Sequence, residues 1–70
     1  MSRALDALIV ARVQARRGHW VRVAELATEL RMDAQIVADR LLKAAPWFDL
    51  VLGEQNGQVV EAMALPKALS

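Results

Sequence analysis

The sequence predicts a small α+β domain, mainly helical, in which three helices precede a C-terminal β-hairpin and a short third strand joins the hairpin. Three observations predict it. Apolar residues recur at helical spacing in three separate segments before Pro46. After Pro46 the period changes to two runs rich in Val, Leu and Phe, which flank Asn56-Gly57, the dipeptide that best tolerates the positive φ angles of a two-residue hairpin turn. The chain has 70 residues, which bounds it to one domain near the lower limit at which a single core holds without staples. We assign residues 1–65 to that domain and 66–70 to a short C-terminal tail.

The first helix is predicted over 2–17. Ser2 is a good N-cap, Asp6 lies early, Arg16 and Arg17 fall in the last turn, and Gly18 can close it. Leu5, Leu8, Ile9 and Val13 supply its apolar face, bordered by Arg12 and Arg16, whose stems could snorkel. The segment "HWVRV" (19–23) alternates Trp20 and Arg22 against Val21 and Val23, the pattern of a short strand. His19 and Trp20 are expected to seal one end of the core. The second helix fits 23–31 with Leu26, Ala27 and Leu30 inward, and the third fits 34–45 with Val37, Leu41 and Ala44 inward, Asp33 as N-cap and Pro46 as its end.

The hairpin is predicted over 47–65. Centring its turn on Asn56-Gly57 pairs Gln55 with Gln58, Leu52 with Glu61, Leu50 with Met63 and Phe48 with Leu65, so that Leu50, Met63, Phe48 and Leu65 share a face that can cover the helices. Trp47 and Phe48, directly after a helix end, are expected in the core, since a small core needs large side chains there. A free hairpin is marginal in water, and "WVRV" is expected to add the third strand.

Composition narrows the chemistry. There is no cysteine and a single histidine, His19. Disulfides, thiolate metal sites and thiol nucleophiles are therefore excluded, and a zinc site or a Ser-His pair has almost no material. No catalytic constellation is visible, so we expect no enzyme, no cofactor and no metal. Asp6, Arg12 and Gln14 interrupt the N-terminal apolar run, so neither a signal peptide nor a membrane span is expected, and the chain reads as cytoplasmic. The formal net charge of +1 hides an asymmetry. Up to Arg31, six Arg face three acids; beyond it, Asp33, Asp39, Asp49, Glu54 and Glu61 face only Arg40, Lys43 and Lys67.

The order helix, strand, helix, turn, helix, hairpin in "VRVAELATELRMDAQIVADRLLKAAPWFDLVLGEQNGQVVEAMAL" resembles the winged helix-turn-helix family, in particular its small bacterial, phage or plasmid members. The matching features are Leu26-Ala27 in the second helix, the turn Leu30-Arg31-Met32-Asp33, Val37 and Leu41 inward on the third, and the hairpin as wing. Arg31 stands where the turn usually has glycine, and Arg22 where a Ser or Thr cap is expected.

By that resemblance the third helix (34–45) is a recognition helix and the hairpin (47–65) a wing, and the protein is a small DNA-binding regulator acting as a homodimer on a short duplex. Asp33, Ala34, Gln35, Ala38 and Asp39 then lie on the groove-facing side, where Gln35 could pair bidentately with adenine. Arg40 and Lys43 would meet the groove edges, and Arg22, Arg31, Arg16 and Arg17 the backbone phosphates; Arg16 and Arg17 also suit the end of the first helix without DNA. Val10 and Leu42, left outside the inward sets, offer an apolar dimer contact. Asp33 is explained as a cap. Asp39 is not, although Lys43 at i+4 could mask it. With a wing tip "GEQNGQ" free of cations, the alternative, narrowly second to the DNA-binding regulator, is a winged-helix protein-interaction or dimerisation module that binds no DNA.

Overall fold

The computed structural model describes residues 3–66. Helices α1 (Arg3–Gln14), α2 (Val23–Leu30) and α3 (Ala34–Phe48) alternate with strands β1 (Val21–Arg22), β2 (Leu50–Gln55) and β3 (Gln58–Ala64) in the order α1-β1-α2-α3-β2-β3. The strands form one antiparallel sheet, ordered β1-β3-β2. This is the predicted α+β architecture, with the layout of a winged helix. Ile9, Val13, Val21, Leu26, Val37 and Leu41 are fully buried between the helices and the inner face of the sheet, where β3 contributes the fully buried Ala62 and Ala64 and the partly buried Val59.

The regular part of α1 ends at Gln14, three residues earlier than predicted. The Arg16 and Arg17 amides donate to Val13 and Gln14, both at 3.1 Å, which tightens the chain into i→i−3 turns. Gly18, at φ +87°, then donates to the Ala64 carbonyl at 2.8 Å and delivers the chain to the sheet. Arg16 and Arg17 therefore lie beyond the last helical turn. Ser2, the expected cap, lies outside the described residues. Val10 is 2% exposed and Leu8 is largely exposed, the reverse of the prediction. The cause is that α1 faces the sheet as well as α3, which moves its buried stripe onto Ile9, Val10 and Val13.

Helix α2 starts without a side-chain cap at Arg22, as its sequence foretells, and ends in a Schellman motif. Arg31 takes the left-handed conformation (φ 54°, ψ 47°) and donates to Thr28, while Met32 donates to Ala27 at 2.9 Å. Asp33 caps α3 as predicted, accepting from the Gln35 amide at 2.8 Å. Pro46 does not end α3. The helix runs on to Phe48 and is closed by Asp49, also left-handed (φ 55°, ψ 46°), whose N–H donates to Ala45. Proline removes the one bond that would reach the Leu42 carbonyl, and both residues are exposed in the final turns, where water can take that bond. The extension carries Trp47 and Phe48 onto the helix and outward. They are 83% and 42% exposed, so neither is the core residue expected, and the hairpin begins at Leu50 rather than at 47.

The turn is as predicted: Asn56 (φ 55°) and Gly57 (φ 77°) close a two-residue loop, and Gln55 pairs with Gln58. Farther from the turn the register slips by one at Gly53/Glu54, so Gly53 pairs with Glu61, Leu52 with Ala62, Val51 with Met63 and Leu50 with Ala64. The bulge accounts for the difference. Val59 and Ala62 lie three positions apart, an odd offset, and only an extra residue between them lets both face the core. Met63 is thereby turned to the outer face.

The left-handed Arg31 yields a stability prediction. Its backbone carries a strain of roughly 1 kcal/mol that glycine would not. Arg31→Gly should leave stability unchanged or raise it by up to about that amount in urea melts; a clear loss would show that the exposed Arg31 side chain does more than solvate the turn.

Candidate interaction face

A groove of about 230 Å³ opens between the start of α2, the first turns of α3 and strand β3, lined by Arg22, Ala24, Ala34, Gln35, Ala38 and Val59 among others. It is built by backbone geometry: the Schellman turn at Arg31 and the Asp33 cap fix the angle between α2 and α3, and the bulge bends β3 beside them. Of the sequence-predicted residues, this groove brings together Gln35 and Arg22. Gln35 already donates from Nε2 to Asp39 Oδ1 at 3.3 Å, so the outer side of α3 presents a linked amide and carboxylate. Asp39 meets Gln35 rather than Lys43. Ala38, expected on the exposed side, is buried against the sheet.

The remaining cations divide sharply. Arg40 Nη1 lies 3.2 Å from Asp6 Oδ1, a part-buried ion pair that ties α3 to α1. Arg16 reaches Glu29 at 2.7 Å and Glu25 at 3.6 Å, and Arg12 reaches Glu29 at 3.5 Å. The hydrogen bond to Glu29, followed by the charge of Glu29, raises the Arg16 pKa above its ordinary value, and Glu25 adds less. Arg17 donates to the Leu65 carbonyl at 2.9 Å. Arg22, Arg31 and Lys43 are exposed and, among the described residues, lie within 4 Å of no carboxylate. They occupy the groove rim, the α2–α3 turn and the middle of α3, so they form no single patch.

Sequence reasoning missed three features. The Arg12/Arg16 and Glu25/Glu29 rows each have a spacing of four, a signal that α1 and α2 present matching charges one turn apart. Nothing local announces the Asp6–Arg40 pair or the exposure of Trp47, which follow from the helix angle and from α3 outrunning Pro46. Trp47 and Phe48 border a second recess of about 470 Å³, with Arg3, Asp6 and Ala7. Trp20 is nearly half exposed and His19 is exposed, so this pair leaves the core end open rather than sealing it. Among the described residues no group of three or more His, Cys, Asp or Glu side chains could hold a metal, and no helix is long and apolar enough to cross a membrane.

The Asp6–Arg40 pair is the more enclosed of these ion pairs. A double-mutant cycle with Asp6→Ala and Arg40→Ala should give a coupling of about 1 kcal/mol, above the few tenths expected for an open surface pair. A coupling near zero in urea melts would mean that the pair does not fix α3 on α1.

Comparison of the chain with protein-family models, curated proteins and solved structures gave no significant match, so its functional reading rests on its own residues.

Proposed function

We propose that this domain is a winged-helix protein-interaction module that docks a partner on the outer side of α3. The observation that carries the reading is Trp47, an indole 83% exposed on a helix closed immediately afterwards by Asp49. Ile36 and Leu42 are exposed on the same helix, beside Asp33 and Asp39. Large apolar side chains held outward on a rigid element, interspersed with acids, suit a protein surface, where buried Trp anchors supply much of the binding energy. They suit a phosphate backbone poorly. Four of the arginines that could have offset the acids are engaged within the fold: Arg40 with Asp6, Arg12 and Arg16 with Glu25 and Glu29, and Arg17 with a carbonyl.

One observation supports a second reading, a small cytoplasmic DNA-binding regulator. Arg22 and Gln35 line one groove between α2, α3 and the hairpin, and Arg31 and Lys43 are uncommitted. Binding through those three cations would be shallow. Three phosphate contacts give a slope of about −2.7 in log K against log salt, or roughly fortyfold between 50 and 200 mM.

Fluorescence anisotropy separates the readings. On the docking reading, neither random duplexes nor duplexes selected from a random pool bind at about 50 mM salt, and a protein partner bound stoichiometrically is lost on Trp47→Ser with the fold unchanged by circular dichroism. A selected duplex that binds at that salt, and weakens on Arg22→Ala or Lys43→Ala, would overturn it in favour of DNA.

A further inference from the structure

We propose that the free edge of β2 pairs with β2 of a second copy of this chain, antiparallel about a twofold axis at Leu52, joining two three-stranded sheets into one of six strands. The proposal is independent of the α3 docking reading. It starts from the phase of the hydrogen bonds. The Leu65 N–H donates to the Asp49 carbonyl, and the β2–β3 register continues in step from Leu50↔Ala64 to Gly53↔Glu61. Because antiparallel pairs alternate, Val51 and Gly53 turn their N–H and C=O toward β3, while Leu50 and Leu52 turn theirs away. Gln55 closes the two-residue loop with Gln58, which leaves Glu54 facing outward too. Among the described residues, no backbone bond outside the β2–β3 ladder reaches these groups.

An edge of this kind is usually guarded by Lys, Pro, a bulge in the edge strand or brevity. The opposite edge, β1, is two residues long and turns directly into α2. The β2 edge reads Leu-Val-Leu-Gly over 50–53 without Lys, Pro or a bulge of its own, and its one charged residue, Glu54, lies near the turn; the extra residue of the bulge lies on the central strand β3.

A second copy is the occupant because the outward groups sit at 50, 52 and 54 and are symmetric about their own midpoint. Antiparallel pairing there sets Leu52 against Leu52 and Leu50 against Glu54 twice, about six hydrogen bonds in all. An axis at Val51 or Gly53 pairs fewer outward groups. The charges also fit. Glu54 meets Leu50 rather than another acid, and the Gln55 amide comes opposite the Asp49 carboxylate of the second copy. A seam of five residues covers less than the roughly 800 Å² per partner of a standard interface, so the dimer is reversible.

Light scattering and amide hydrogen exchange, each on the whole chain at about 1 and 100 μM, test this. At a Kd of about 10 μM the mass rises from near the 7.7 kDa of one chain toward twice that, and the Leu52 and Glu54 amides exchange about fivefold more slowly at the higher concentration. Glu54→Pro removes an outward N–H and leaves the β2–β3 ladder intact, and should raise the Kd at least about tenfold. Val51→Lys, which sets like charges beside the axis, should do the same. A monomer at 100 μM overturns the proposal, as does a dimer whose β2 amides exchange equally fast at both concentrations; that wild-type exchange measurement decides even if a variant fails to fold.

Discussion

The inner face of β3 is the constraint on which the rest of this fold depends. Every other element rests against that strand: β1 and β2 flank it, and all three helices pack on it. A helix approaches a sheet closely only where the side chains between them are small, and β3 offers Ala62 and Ala64, both fully buried, at the point where the helices converge. The bulge before Ala62 serves the same end. It brings Val59, near the turn, onto the face that carries the two alanines, and so extends the core toward the wing. The largest fully buried side chains, Ile9, Leu26 and Leu41, come from the helices, and the sheet adds Val21 and Leu50 beside the two alanines.

That packing has an electrostatic counterpart on the outside. The helices are fastened to one another by charge pairs at their rims, α1 to α2 through Arg12, Arg16, Glu25 and Glu29, and α1 to α3 through Asp6 and Arg40. Individually these pairs contribute little, since most are well exposed. Their functional effect is larger than their energetic one. They set several bases of the first half of the chain against acids of the same molecule at its surface, so the charge asymmetry visible in the sequence does not become a basic surface of matching size. What reaches the outer side of α3 is a mixture of acids, one lysine and apolar side chains, and this weighs the reading toward a protein partner.

Much of the fold is legible in the sequence because its punctuation is local. Asp33 and Asn56-Gly57 act within a few residues of themselves, and the cap and the hairpin loop form as their chemistry dictates, while the left-handed turn at Arg31 forms where the helix-turn-helix spacing places it, against the preference of arginine. The periodicity of α2 and α3 reports their buried faces correctly for the same reason, apart from Ala38. What is not legible depends on distant partners. Whether Val10 or Leu8 turns inward is set by the sheet lying beside α1, and the register beyond Gly53 by a bulge that no residue type signals. The candidate site suffers most from this. Arg40 looks like a groove contact until Asp6, 34 residues away, is brought to it, whereas Gln35 and Arg22, placed by local turns, do line one groove.

Pro46 links these levels. Read locally, it ends a helix; in the fold, it sits in a final turn where one missing backbone bond can be made up by solvent, and the helix passes through it. Asp49 then reverses the chain in a single residue, so α3 enters β2 with no intervening loop. Two surfaces follow from that one junction: the exposed Trp47-Phe48 end of α3 and the open edge that begins at Leu50. Because a left-handed residue with its N–H bonded to Ala45 joins them, neither surface can shift far without the other. Had the helix ended before Pro46, residues 46–49 would have been free to fold Trp47 and Phe48 onto the core. The continuation of α3 keeps both outside, on the surface where the proposed docking would take place.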